Sequence, residues 1–102
     1  GLRKTDKIEA KLWKFPPGKT EHEKKIQCCS YELIFLLRGR IDGEVAGERI
    51  ELDADKNNYI FIPPKVVNSF PENVLSDIEA EGFTFKIPSI KGDKITKKMI
   101  DN

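Results

Sequence analysis

The run Tyr31-Glu32-Leu33-Ile34-Phe35-Leu36-Leu37 constrains this chain more than any other feature. Arg38-Gly39 ends it too soon for a stable helix, and its aromatic and branched residues favour an extended backbone. Apart from Glu32 it is apolar at both parities, so it reads as a central strand covered on both sides. A strand of that kind needs further layers, and the surrounding sequence supplies them as more strands. Ile8, Ala10 and Leu12 alternate with Lys7, Glu9 and Lys11 until Pro16-Pro17-Gly18 stops the pattern, with Trp13 and Phe15 on the other parity. Ile41–Val45 and Arg49–Leu52 flank Ala46-Gly47-Glu48, which suits a tight hairpin with Gly47 at positive φ.

The remaining punctuation agrees. Residues 18–27 are too polar for a core and read as an exposed loop running into a strand edge. Asp53–Asn58 is a turn, and Tyr59–Ile62 a short strand ended by Pro63-Pro64, whose rings cannot donate to a ladder. Ile78 and Ala80 stand on one parity, Phe83, Phe85 and Ile87 on the other, and a β-bulge at Gly82 would account for the slip. Residues 89–102 form a basic tail, read as a solvated end, beyond a core of about residues 8–88. Many short strands at regular spacing predict an all-β sandwich or barrel, with Ile34, Leu36, Phe61, Phe83 and Phe85 in one core.

Charge then narrows the function classes. Of the 102 residues 34% are charged, yet the net charge is only +1, without the basic surplus of a nucleic-acid binder. No apolar run approaches the roughly 20 residues of a bilayer span, and Gly1-Leu2-Arg3-Lys4 does not open a signal peptide. A single cytoplasmic domain over residues 1–102 is expected, with no nucleic-acid or membrane partner. Cys28 and Cys29 are adjacent and cannot staple distant segments, so free thiols are expected.

Glu32 and, after six intervening residues, Gly39, with Pro17-Gly18 ahead of the preceding loop, resemble the first motif of the small cupins. That motif is glycine, a loop, His-x-His, three or four residues, glutamate, six residues and glycine. Asn57, Pro63-Pro64-Lys65 and Asn68 resemble the second. The likeness covers about residues 8–88, and residues 31–39 look particularly like the sensing arms of arabinose-type transcription regulators. It implies a cupin-type double-stranded β-helix, or jelly-roll, barrel.

The resemblance also implies a metal site that this chain alters. Counting three residues back from Glu32 puts Ile26 and Cys28 in the two histidine positions, and Asn68 falls in the third. One histidine cannot build the three-imidazole, one-carboxylate set that holds a divalent transition metal. A Cys28, Glu32 and His22 set around zinc is the remaining metal option, with His22 otherwise a solvated loop residue.

Two function classes follow. One is a non-catalytic module binding a small polar molecule, such as a sugar or organic acid, through Glu32, Asn68, Cys28, Phe61, Phe70 and Phe83. The other is a metal-dependent isomerase, epimerase or oxygenase. Glu32 either lines a wet cavity or sits at the rim, since a dry unpaired carboxylate would cost several kcal/mol. Leu33, Phe35 and Leu37 face away from Ile34 and Leu36. That second apolar face, partly covered by Leu12, Trp13 or Phe15, predicts a homodimer with Trp13 or Phe35 near its interface.

Overall fold

In the computed structural model, which describes residues 7–89, two antiparallel sheets lie face to face. The first has the order β1 (Glu9–Phe15), β9 (Ala80–Pro88), β4 (Ser30–Arg38), β7 (Tyr59–Ile62). The second has the order β2 (Gly18–Lys19), β8 (Val67–Val74), β5 (Arg40–Val45), β6 (Glu48–Asp53), and β3 (Lys25–Ile26) also pairs with β8. The architecture is all-β, with no helix among the described residues. The basic tail lies outside the described residues.

The core is built by the inward face of each strand. Ile34, Leu36, Ile41, Leu52, Ile62, Phe70, Val74 and Ala80 are each nearly fully buried, and Trp13 closes one side at 8% exposure. At Gly82 an added Cβ would strike the Phe35 carbonyl and come within 2.5 Å of the Trp13 ring, so glycine is what lets the indole lie across β9. Gly43 does the same for Phe70, where a Cβ would sit 2.5 Å from the ring. The hairpin between β5 and β6 has two loop residues, Ala46 and Gly47, both at positive φ (52° and 81°), as a type I′ turn requires.

Three expectations need correction. The register shift near Gly82 lies in β4, between Leu36 and Arg38, while β9 runs past Gly82 in unbroken pairing with β1. The parity slip therefore records a change of apolar face. Trp13 and Ala80 point inward at one level; Leu12, Phe83 and Phe85 point outward at the next. Consequently Phe61, Phe83 and Phe85 do not join Ile34 and Leu36 in the core but carpet the outer face of the first sheet with Leu33 and Phe35. That outer face is not covered by the N-terminal strand either, because β1 pairs edge to edge with β9, in the plane of the sheet.

The pattern of the chain gives no strand signal for β8, yet β8 pairs with β2, β3 and β5. Its sequence, Val-Asn-Ser-Phe-Pro-Glu-Asn-Val, does not alternate, and Pro71 reads as a breaker. Pro71, after a cis peptide, falls where the β5–β8 ladder shifts register between Asp42 and Glu44, so its missing N–H removes no regular ladder bond.

Candidate binding cavity at the open end of the barrel

Above the Trp13 level the inward positions turn polar. Lys11 pairs with Thr84, Trp13 with Gly82, and Glu32 with Lys86, so Lys11, Thr84, Lys86 and Glu32 share the inner face of the first sheet. They line a cavity of about 140 Å³ with Trp13, Phe15, His22, Lys25, Phe70 and Pro71. The parity change in β1 and β9 marks the boundary between closed core and polar mouth.

Glu32 is 3% exposed, and one of its carboxylate oxygens is engaged twice. The Lys25 ammonium stands 3.3 Å from its Oε2, and Gln27 Nε2 donates to the same oxygen. Ser30 Oγ in turn donates to Gln27 Oε1 at 2.9 Å, fixing the amide at both ends. Lys25 reaches inward because β3 pairs it with Asn68, on the inner side of β8. Backbone contacts hold the segment, Lys65 N donating to the Gln27 carbonyl at 2.6 Å.

These positions shift the motif reading by one residue. Ile26 is 62% exposed and pairs outward with Val67, so the His-x-His places fall on Lys25 and Gln27, with four residues rather than three before Glu32. The loop of variable length concealed this. Lys25, Gln27, Glu32 and Asn68 therefore stand where the motif has His, His, Glu and His. A transition metal does not fit this set, because the one carboxylate is taken by an ammonium and an amide donor. No group of three His, Cys, Asp or Glu side chains among the described residues could hold a metal ion.

The other candidates separate. Phe70 lines the cavity and His22 hangs over it. Phe61 and Phe83 lie on the far side of the first sheet and cannot touch a ligand that Glu32 touches. Cys28 is outside the cavity, beside a surface depression with Lys7, Glu9 and Pro88, and it is joined to Cys29 in a vicinal disulfide where free thiols were expected. Adjacency prevents stapling of distant segments but not closure of a small ring. Asn68 is buried at 1% exposure below the lining; its Nδ2 donates weakly to Val66 O at 3.4 Å and its Oδ1 has no partner among the described residues.

His22 is held over the mouth by its supports. Residues 20–24 bridge β2 and β3, both paired to β8, and Thr20 Oγ1 donates to the Pro71 carbonyl at 2.7 Å. The imidazole meets Phe15 edge-on at 5.2 Å between centroids. Partial burial, then the charge of Lys25, hold its pKa below the ordinary 6.5, with Glu32 acting in the opposite direction and Lys11 adding to the lowering. Sequence reasoning missed Lys11, Lys25, Thr84 and Lys86; for Lys11, Thr84 and Lys86 the signal was available, as polar residues on the parity that carries Trp13 and Ala80, whereas for Lys25 it was not.

No protein-family model matches the chain, and no curated protein matches it. Solved structures do. The Cnp3 cupin domain of Schizosaccharomyces pombe superposes with a TM-score of 0.71 at 14% identity, over 98% of this chain and 66% of that one. A cupin protein from Bacteroides fragilis gives 0.64 at 21% identity, over 87% of this chain and 74% of the other. A protein from Photorhabdus luminescens gives 0.62 at 14% identity, over 93% and 73%.

Proposed function

We propose that this chain, which has the cupin fold, is a small-molecule-binding module whose metal centre has been replaced by an ion pair between a buried carboxylate and a half-exposed lysine. The observation that carries the reading is Glu32, buried and satisfied by Lys25 and Gln27 beside a lined cavity of about 140 Å³. Several ionic and polar side chains kept at an open barrel end suit ligand recognition better than a packed core would. Calorimetry with zinc, nickel and manganese tests it. No submicromolar binding is expected; tight binding that disappears in Glu32→Ala would replace this reading with a metal-dependent enzyme.

A homodimer belongs to the same proposal. The outer face of the first sheet carries Leu12, Leu33, Phe35, Tyr59, Phe61, Phe83 and Phe85, with Leu12 54% and Tyr59 56% exposed. Four strands about 4.8 Å apart and about 23 Å long span roughly 450 Å² in plan, and side-chain relief carries the accessible area toward the ~800 Å² that each partner gives to a stable interface. Those positions are uncharged, and the cross-strand neighbours Lys14 and Glu81, of opposite sign, border them at one end, which suits two copies meeting across a two-fold axis. Phe35 sits in this face; Trp13, hydrogen-bonded inward to Thr84 at 2.8 Å, does not.

A further inference from the structure

We infer that the cavity selects a small organic anion, with Lys11, Lys86 and the Thr84 hydroxyl taking a carboxylate and Trp13, Phe15 and Phe70 taking a compact apolar body. The inference rests on the binding reading above and narrows its ligand class from polar molecules in general.

Charge is the first argument. Three lysines line the cavity against one carboxylate, and that carboxylate is already matched by Lys25. Lys11 and Lys86 have no acidic partner within ion-pair distance among the described residues. Glu9 stands opposite Lys86 in the β1–β9 register and borders with it the neighbouring surface depression, but it does not line the cavity and no ion pair closes between the two. Both lysines are exposed at the rim, and their ammonium groups are left without an acidic partner at the mouth of a partly enclosed cavity, which favours an anion there.

Hydrogen-bonding capacity is the second. Thr84 Oγ1 accepts from Trp13 Nε1 at 2.8 Å, and its own proton has no acceptor among the described residues. Two ammonium groups and a hydroxyl with a free proton form a set of donors, and a carboxylate is the common organic group that only accepts. The placement fits as well. Lys11 is the direct cross-strand partner of Thr84, and Lys86 is the next inward residue along β9. Such positions lie about 5 to 8 Å apart, a span over which long side chains and a hydroxyl can converge on one carboxylate.

The walls set the rest of the ligand. Trp13, Phe15 and Phe70 are apolar, and a space of about 140 Å³ admits a single ring or a short chain rather than an oligosaccharide. An inorganic anion would satisfy the lysines and leave these walls bare.

Titration of the full chain with benzoate, benzamide and inorganic phosphate tests this, followed through the indole N–H resonance of Trp13, the only tryptophan. Benzoate is expected to shift that resonance saturably, with benzamide and phosphate each at least tenfold weaker. The Lys11→Gln/Lys86→Gln variant should lose at least tenfold for benzoate and nothing for benzamide, and Lys11→Arg/Lys86→Arg should retain benzoate binding. Benzamide binding as tightly as benzoate, or benzoate binding undiminished in the glutamine variant, overturns the anion inference and leaves the cavity reading standing. Phosphate binding as tightly as benzoate overturns the role given to the apolar walls. If none of the three moves the indole resonance, the cavity reading falls with it.

Discussion

The outer faces of the two sheets could hardly differ more. On the second sheet, Arg49 stands 3.3 Å from Asp42 and 2.9 Å from Glu72, Arg40 lies 3.2 Å from Glu51, and Asn73 donates to Asp42 at 2.8 Å. Ser69 donates to Glu72 on the same face, which holds that carboxyl below its ordinary range, with Arg49 assisting. The first sheet presents Phe35, Phe61, Phe83 and Phe85 instead. One sheet is thus a half-buried antiparallel layer with a wet side, and the other is apolar on both sides over part of its area. The difference teaches that the two faces serve different ends: one is built for water, and the other leaves apolar side chains without a covering layer among the described residues.

The largest effect should separate core from face. Phe70→Ala removes a side chain only 1% exposed and should cost about 3–5 kcal/mol. Phe83→Ala, on the outer face, should cost the isolated protomer under about 1 kcal/mol by denaturant titration at low concentration. Equal losses at the two positions would mean that the outer face is as buried as the core in solution, even at dilution. Gly82→Ala sharpens the boundary, since its methyl would press on the Trp13 ring and should cost about 1–3 kcal/mol.

Association should follow the same division. A Phe35→Glu/Phe85→Lys pair places charges in the middle of the first sheet's outer face and should give a monomer near 11.7 kDa by sedimentation at micromolar concentration. Glu51→Lys, on the charged face, should leave the assembly unchanged. A wild-type chain that already sediments as a monomer would end the dimer proposal.

How much of this was legible depends on which face a residue served. The hairpin at Ala46-Gly47, the strand at Tyr59–Ile62 and the central position of β4 follow from local pattern, because turn chemistry and alternation act over a few residues. Inside and outside could not be assigned to Phe61, Phe83 and Phe85, since both faces of that sheet are apolar and periodicity alone does not say which one the second sheet covers. β8 escaped because its partners, not its own alternation, hold it extended. For the site, Glu32 could be found from its burial cost, whereas Lys25 and Gln27 required the β3–β8 register, a non-local quantity.

A smaller effect tests the hairpin on the charged side. Ala46 adopts φ 52°, a conformation that costs an ordinary residue about 1–2 kcal/mol. Asparagine tolerates it better, so Ala46→Asn should raise stability by about 0.5–1 kcal/mol without altering association. A loss of stability would mean that the turn is not type I′.

The smallest effect lies at the mouth between the two sheets, in the titration of the only histidine. His22 is faced by Lys11 and Lys25, which oppose its protonation, and by Glu32, which favours it; Lys86 lines the same cavity, and Glu21 and Glu23 flank it in the arch that residues 20–24 form between β2 and β3. Burial is the largest influence, and the folded pKa lies below the ordinary 6.5. Between the folded and unfolded values the unfolded chain therefore holds more protons, so this residue's effect is to lower stability as pH falls through that window, starting near 6.5. Proton NMR of the imidazole should place its midpoint below 6.5. Lys25→Met should move the midpoint up by removing the larger cationic influence, and Glu32→Gln should move it down. A midpoint that both substitutions leave in place would detach the arch from the cavity, and with it the link between the edge strands on β8 and the ion pair on β4.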